Sequence, residues 1–128
     1  MKSISGEEGN FEVKIVQYPR YVDPAKCIAC GLCAEKCPTK VDNEYDAGLA
    51  KRKSIHVKYA QAVPLKYAID PIHCIFFTKG RCKACEKLCP AKAINFEDQE
   101  KELTIQTGAI IISPGCEVYD PKVYDVYG

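Results

Sequence analysis

The sequence predicts an α+β fold with pseudo-two-fold internal symmetry, flanked by strands that belong to neither half. Two observations carry this. One pattern occurs twice in the middle of the chain, and the segments on either side alternate apolar and polar residues with the period of a strand.

The repeat can be read directly. Val22-Asp23-Pro24-Ala25-Lys26-Cys27 matches Ile69-Asp70-Pro71-Ile72-His73-Cys74 as a β-branched residue, Asp, Pro, two further residues and Cys. Each copy closes on Cys-Pro, at Cys37-Pro38 and Cys89-Pro90. A period of about 50 residues in two copies falls short of a solenoid, which needs about three, so two related halves packed face to face are expected. In each half a short strand (20–22 and 67–69) leads into an Asp-Pro turn. A cysteine loop follows, then a short helical stretch at 32–36 and at 83–88. Proline after the last cysteine ends that helix, because it disfavours the helical conformation in the residue before it. Residues 93–96 read as a closing strand.

Outside the repeat, Phe11, Val13 and Ile15 alternate with Glu12 and Lys14, which predicts a half-exposed strand over 9–18. Leu103 and Ile105 begin a second strand, and the continuous apolar run Ala109-Ile110-Ile111-Ile112 suits a strand buried on both faces. Residues 42–66, with the basic Lys51-Arg52-Lys53, read as a surface excursion inserted between the halves. Two outer strands alone are marginal in water, so they read as edges of a larger host domain. The expected organisation is a host segment over 1–19, a two-half domain over 20–97 with its insertion at 42–66, and host strands over 98–128.

Lys and Arg number 18 against 17 Asp and Glu, so no basic excess points to nucleic acid. The first residues lack the apolar centre of a signal peptide, and the longest apolar run, Ala109 to Ile112, is far short of a membrane span. A cytoplasmic protein with no membrane span is the expectation. Cysteine stands out at nine residues in 128. Without a secretory signal, dense cysteines point to metal rather than disulfides, and an odd count cannot be consumed by disulfides alone.

The cysteines fall in two runs, Cys27-x2-Cys30-x2-Cys33-x3-Cys37-Pro38 and Cys74-x7-Cys82-x2-Cys85-x3-Cys89-Pro90. A cubane cluster needs one thiolate at each of four iron corners. Two-residue gaps let one tight loop reach three corners, and in two-cluster ferredoxins the fourth cysteine of each run ligates the other cluster. The expected ligands are therefore Cys27, Cys30, Cys33 and Cys89 for a first [4Fe–4S] cluster, and Cys74, Cys82, Cys85 and Cys37 for a second. The seven-residue gap requires 75–81 to loop out. Zinc prefers two separated Cys-x2-4-Cys pairs, a pattern these triplets do not follow, so a structural zinc module is the weaker reading. Gly31 and Ala29 allow close backbone approach, while Ile28, Leu32, Ile75, Phe76 and Leu88 can supply a dry shell. With eight thiolates and two cores of charge +2, the formal +1 becomes roughly −3. The nearby Lys26, Lys36, Lys40, Lys83, Lys87 and Lys92 read as solvated. Cys116 is read as a spare structural cysteine, and His73 and His56 as non-ligands.

With these motifs in place, the chain resembles the A-type subunit of heterodisulfide reductase, an FAD-containing iron–sulfur protein of flavin-based electron-transfer complexes. The resemblance rests on the segments Cys27 to Pro38 and Cys82 to Pro90, and on Lys51-Arg52-Lys53 and Gln61-Ala62-Val63-Pro64. Gly9 to Val13 and Gly108 to Gly115 resemble strands of that family's FAD domain. The resemblance implies a two-cluster bacterial-ferredoxin-like core inserted in a flavoprotein, with FAD held only in the parent protein. It further implies the FAD-binding remainder and other iron–sulfur reductase subunits as partners. No Gly-x-Gly-x-x-Gly follows a strand, Cys-Cys-Gly motifs are absent, and Ser113-Pro114-Gly115 stands where many flavoproteins have Ala-Thr-Gly. The expectation is an excised module or split gene product that relays electrons. It would be part of an oxidoreductase rather than an enzyme by itself. The alternative is a free-standing diffusible ferredoxin.

Overall fold

A computed structural model describes residues 1–117, 120–124 and 126; residues 118, 119, 125, 127 and 128 of the expected C-terminal flank lie outside them. The chain divides into two compact units, one of Met1–Val16 with the residues from Glu102 onward, the other Gln17–Lys101.

In the first unit, β1 (Ser3–Glu7) and β2 (Asn10–Gln17) form a hairpin, and β7 (Lys101–Thr107) completes a three-stranded sheet in the order β1-β2-β7. The hairpin register pairs Ser3 with Lys14 and Glu7 with Asn10. Gly9 turns the chain with φ 86°, a left-handed conformation that favours glycine. Strand β1 escaped the sequence reading because Ser, Gly and Glu dilute its period. With a third strand present, the flank is not the isolated pair expected. The run Ala109 to Ile112 also departs from expectation: it forms no strand, and Ile111 and Ile112 are 92 % and 72 % exposed. An all-apolar run becomes a buried strand only where layers cover both faces, and the described residues supply none here.

The second unit contains α1 (Leu32–Glu35), β3 (Val41–Asp42), β4 (Lys51–Arg52), β5 (Ile55–His56), β6 (Ala68–Ile69), α2 (Ile75–Lys79) and α3 (Ala84–Leu88). Strand β3 pairs antiparallel with β4, and β5 with β6, where Ile55 faces Ile69 and His56 faces Ala68. The strands expected at 20–22 and 93–96 reduce to a single bridge between Val22 and Ile94. The core is Val22, Ile55, Ile69, Ala93 and Phe96 together with Cys27, Cys37 and Cys74.

Two corrections follow for the expected loops. The insertion is no mere surface excursion: Ser54 and Ile55 are each only 2 % exposed, because β5 pairs with β6 at the entrance to the second cysteine run. The seven-residue gap is not a plain loop either. It winds into α2 and stops at Gly80, whose φ of 67° gives the left-handed end that favours glycine. The helix sets Phe76 and Phe77 against Phe96, with ring centroids 4.2 Å and 5.8 Å away, and Phe77 against Tyr21 at 4.4 Å.

Candidate iron–sulfur site

The repeated Asp-Pro turns fold alike. Asp23 Oδ1 accepts from the Ala25 N–H at 2.9 Å, and Asp70 Oδ1 from the Ile72 N–H at 3.0 Å. The carbonyls of the same aspartates accept from Cys27 and Cys74, at 3.0 Å and 3.1 Å. Each Asx turn thus delivers the first cysteine of its run into the core, and both are buried.

From there the first loop wraps tightly. Ala29 and Gly31 take φ of 58° and 85°, so left-handed residues two apart curl the backbone around Cys27, Cys30 and Cys33. Left-handed alanine costs about 1–2 kcal/mol, which marks this loop as shaped for a purpose other than chain stability. Cys33 lies on α1 and Cys85 on α3, and these helices pack together.

Two cavities result. One is lined by Cys27, Cys30, Cys33 and Cys89, with Tyr67, Leu32 and Ile94 among its walls. The other is lined by Cys37, Cys74, Cys82 and Cys85, with Ser54, Ile55, Ile69 and Ile75. Their empty volumes are similar, about 340 and 320 Å³ including space open to solvent. Each cavity takes three cysteines from one run and its fourth from the other. Among the described residues, no three of His, Cys, Asp and Glu are arranged around a single ion.

The thiols are unevenly placed. Burial pushes Cys33 up to about 11 and Cys85 up to about 12, with Cys27 and Cys30 adding to the first effect and Cys74 to the second. Cys33 and Cys37 also bear electrostatically on Cys85, so the two quartets adjoin. Burial raises Cys37 too, but a bond from Ser54 and backbone N–H groups of Thr39, Ile55 and Ser54 outweigh it and hold the thiol below its ordinary value. Cys89 Sγ accepts from the Ala93 N–H at 3.3 Å. Four thiols around a mostly apolar cavity, with N–H groups turned to sulfur, fit a [4Fe–4S] cluster.

Several groups near the cysteines had no signal in the sequence. Lys53 Nζ donates to the Cys37 carbonyl at 2.5 Å, and Lys66 Nζ donates to that of Cys27. The Tyr67 hydroxyl lies 3.4 Å from where a Cβ on Gly31 would stand. Of these, Lys53 belongs to the basic tract of the insertion and Tyr67 to the strand expected at 67–69, but neither pattern points to the cysteines. Three of the six lysines near the motifs pair locally: Lys26 with Asp23, Lys36 with Glu35, Lys83 with Glu86. Cys116 is exposed and lines neither cavity. His73 bonds Asp70 at 2.7 Å outside both cavities. Burial and then Arg52 push His56 down.

Residues 20–41 match the 4Fe-4S binding domain family, which covers the first cysteine run. The site is therefore that of an iron–sulfur protein with a ferredoxin-like domain of mixed helix and strand. Over all 128 residues the chain is a homologue of a segment of the A-type heterodisulfide reductase subunits. It is 45 % identical to the A-type iron–sulfur subunit of the CoB–CoM heterodisulfide reductase of Methanocaldococcus jannaschii, with the whole chain aligned to 19 % of that protein. It is 44 % identical to the A-type subunit of the H(2)/formate:CoB-CoM heterodisulfide,ferredoxin reductase of Methanococcus maripaludis, again over the whole chain and 19 % of the relative. The corresponding subunit of the H(2):CoB-CoM heterodisulfide,ferredoxin reductase of Methanothermobacter thermautotrophicus is 37 % identical over the same shares. The chain thus spans about a fifth of the length of these relatives. No helix among the described residues is long and apolar enough to cross a membrane.

Proposed function

We propose that this chain relays single electrons through two [4Fe–4S] clusters, within a flavoprotein oxidoreductase like the A-type subunit of heterodisulfide reductase. The observation that supports it is the pair of adjoining cavities, each lined by four cysteines drawn three and one from the two runs. Cys27, Cys30, Cys33 and Cys89 would hold the first cluster; Cys74, Cys82, Cys85 and Cys37 the second. A [4Fe–4S] cluster supplies one-electron redox chemistry when bound.

The residues' own contributions are positional. The Asx turns at Asp23 and Asp70 present the leading cysteines. Ile55, Ile69 and Ile75 line the second cavity and Leu32 and Ile94 the first, which gives the thiols mostly apolar walls, and the N–H groups at Cys37 and Cys89 meet sulfur. Lys53 and Lys66 place one positive charge beside each quartet, which favours the more negative, reduced state.

In this reading, residues 20–97 form the two-cluster domain with pseudo-two-fold symmetry, and 42–66 are its insertion. The segments 1–19 and 98–128 are strands of the host FAD domain. Partners are the FAD-binding remainder of the parent protein and other iron–sulfur reductase subunits, and FAD itself belongs to the parent. Reconstitution under anaerobic conditions tests the proposal. About eight iron and eight sulfide per chain are expected, whereas zinc without labile sulfide would sink it. Co-purification with a flavoprotein, rather than as a free monomeric carrier, separates the relay from a diffusible ferredoxin.

A further inference from the structure

We propose that Ser54 is a tuning residue for the second site: its hydroxyl donates a hydrogen bond to the sulfur of Cys37 and raises the reduction potential of the cluster held there. The inference deepens the function proposed above and rests on Cys37 being a ligand.

Ser54 is the one polar residue in the buried interior among the described residues, 2 % exposed, and its Oγ lies 3.2 Å from Cys37 Sγ. A buried hydroxyl needs a hydrogen-bond partner. A thiolate bound to iron carries no proton, so the hydroxyl must donate and the sulfur accept. The orientation is imposed by the backbone rather than by chance. The Ser54 carbonyl accepts from the Asp70 N–H at 2.7 Å, and the next residues pair in register with Ile69 and Ala68. The strand that aims Ser54 at Cys37 therefore also anchors the turn that delivers Cys74 to the same cavity.

Reduction adds negative charge to the cluster and its thiolates, and a donor aimed at sulfur stabilises the charged state more. The dry, apolar wall of Ile55, Ile69 and Ile75 strengthens that bond. Only an electron is transferred. The hydroxyl proton stays on Ser54, and no covalent bond forms or breaks.

The test is a redox titration of the reconstituted whole chain, reduced with dithionite and followed by electron paramagnetic resonance. Wild-type, S54A and S54T proteins are compared, with C82S to assign the step that belongs to the second site. In S54A that step should move to lower potential by about tenfold in the reduction equilibrium, about 59 mV for a one-electron couple. S54T should restore it, and the other step should stay in place. Unmoved steps in S54A, or both steps moving together, would overturn the proposal. Should S54A lose the second cluster, S54C, with its weaker S–H donor, replaces it, and a wild-type potential there overturns the proposal equally. A wild-type chain that takes up no second cluster defeats the relay itself. Full iron content with unmoved potentials defeats only the role of Ser54.

Discussion

The guanidinium of Arg52 donates to the carboxylate of Asp70 at 2.9 Å, and the two side chains are only 11 % and 12 % exposed. The same carboxylate oxygen meets His73, while its other oxygen caps the turn that leads to Cys74. One aspartate therefore ties the insertion to the second cysteine run, and Arg52 extends the tie to Glu44. Its counterpart Asp23 caps the first turn but, among the described residues, has only the exposed Lys26 at 3.7 Å as an ionic partner. D70A should cost about 3 kcal/mol, the scale of a buried pair broken on one side, and D23A about 1 kcal/mol, the scale of one hydrogen bond. Denaturant-induced loss of the cluster's visible absorbance checks this, with D70A bleaching at the lower concentration.

Acid should loosen the same tie. Burial pushes Asp70 up, but the bonds from His73 and Arg52 outweigh it and hold the carboxyl below its usual range. Arg52 holds Glu44 down at about 2. A carboxyl lowered by folding stabilises the fold above its unfolded value, about 4, and loses that contribution as pH falls through its folded value. Resistance to proteolysis at 42–66 should therefore decline below about pH 4, and less so in D70N, where the titrating group is gone. Equal acid sensitivity in D70N and wild type would contradict it.

In the proposed assignment the ligand sets cross between runs, so single replacements should damage the distant site. C89A should lose the cluster held by Cys27, Cys30 and Cys33, and C37A the one held by Cys74, Cys82 and Cys85. Each variant should retain about four irons. Mössbauer spectra of C89A combined with C82S, against C89A combined with C30S, decide the matter: only the second pair should leave one intact site.

Loading should depend on pH in the alkaline direction. Burial holds Cys33 at about 11 and Cys85 at about 12, so these thiols carry protons at neutral pH until a cluster displaces them. Ligation releases those protons. Incorporation should become more favourable as the medium is raised from about pH 7 towards about pH 9, near an ordinary thiol value. Anaerobic titration with iron and sulfide, read as the amount needed for half loading, measures it; a half-loading point independent of pH would contradict it.

The cysteine runs and their turns were legible because each depends on neighbours in sequence: Asp23 caps Ala25, and Asp70 caps Ile72. Even α2 carried a local sign, Gly80, that reads as a helix end once the gap is allowed to be helical. Ser54 had no such sign. A lone serine in an insertion becomes a sulfur contact only through the pairing of Ile55 with Ile69, a relationship of distant segments. Ile111 and Ile112 show the reverse failure: composition records a demand for cover, and the surroundings decide whether it is met.

The interior of the Gln17–Lys101 unit holds few aliphatic side chains, and three of its buried members are cysteines. With clusters in place, much of what fills that space is mineral rather than hydrocarbon, and melting it exposes little apolar surface to water. Heat capacity on unfolding should then fall below the usual ~12–15 cal/mol/K per residue, giving a flat stability curve with little cold sensitivity.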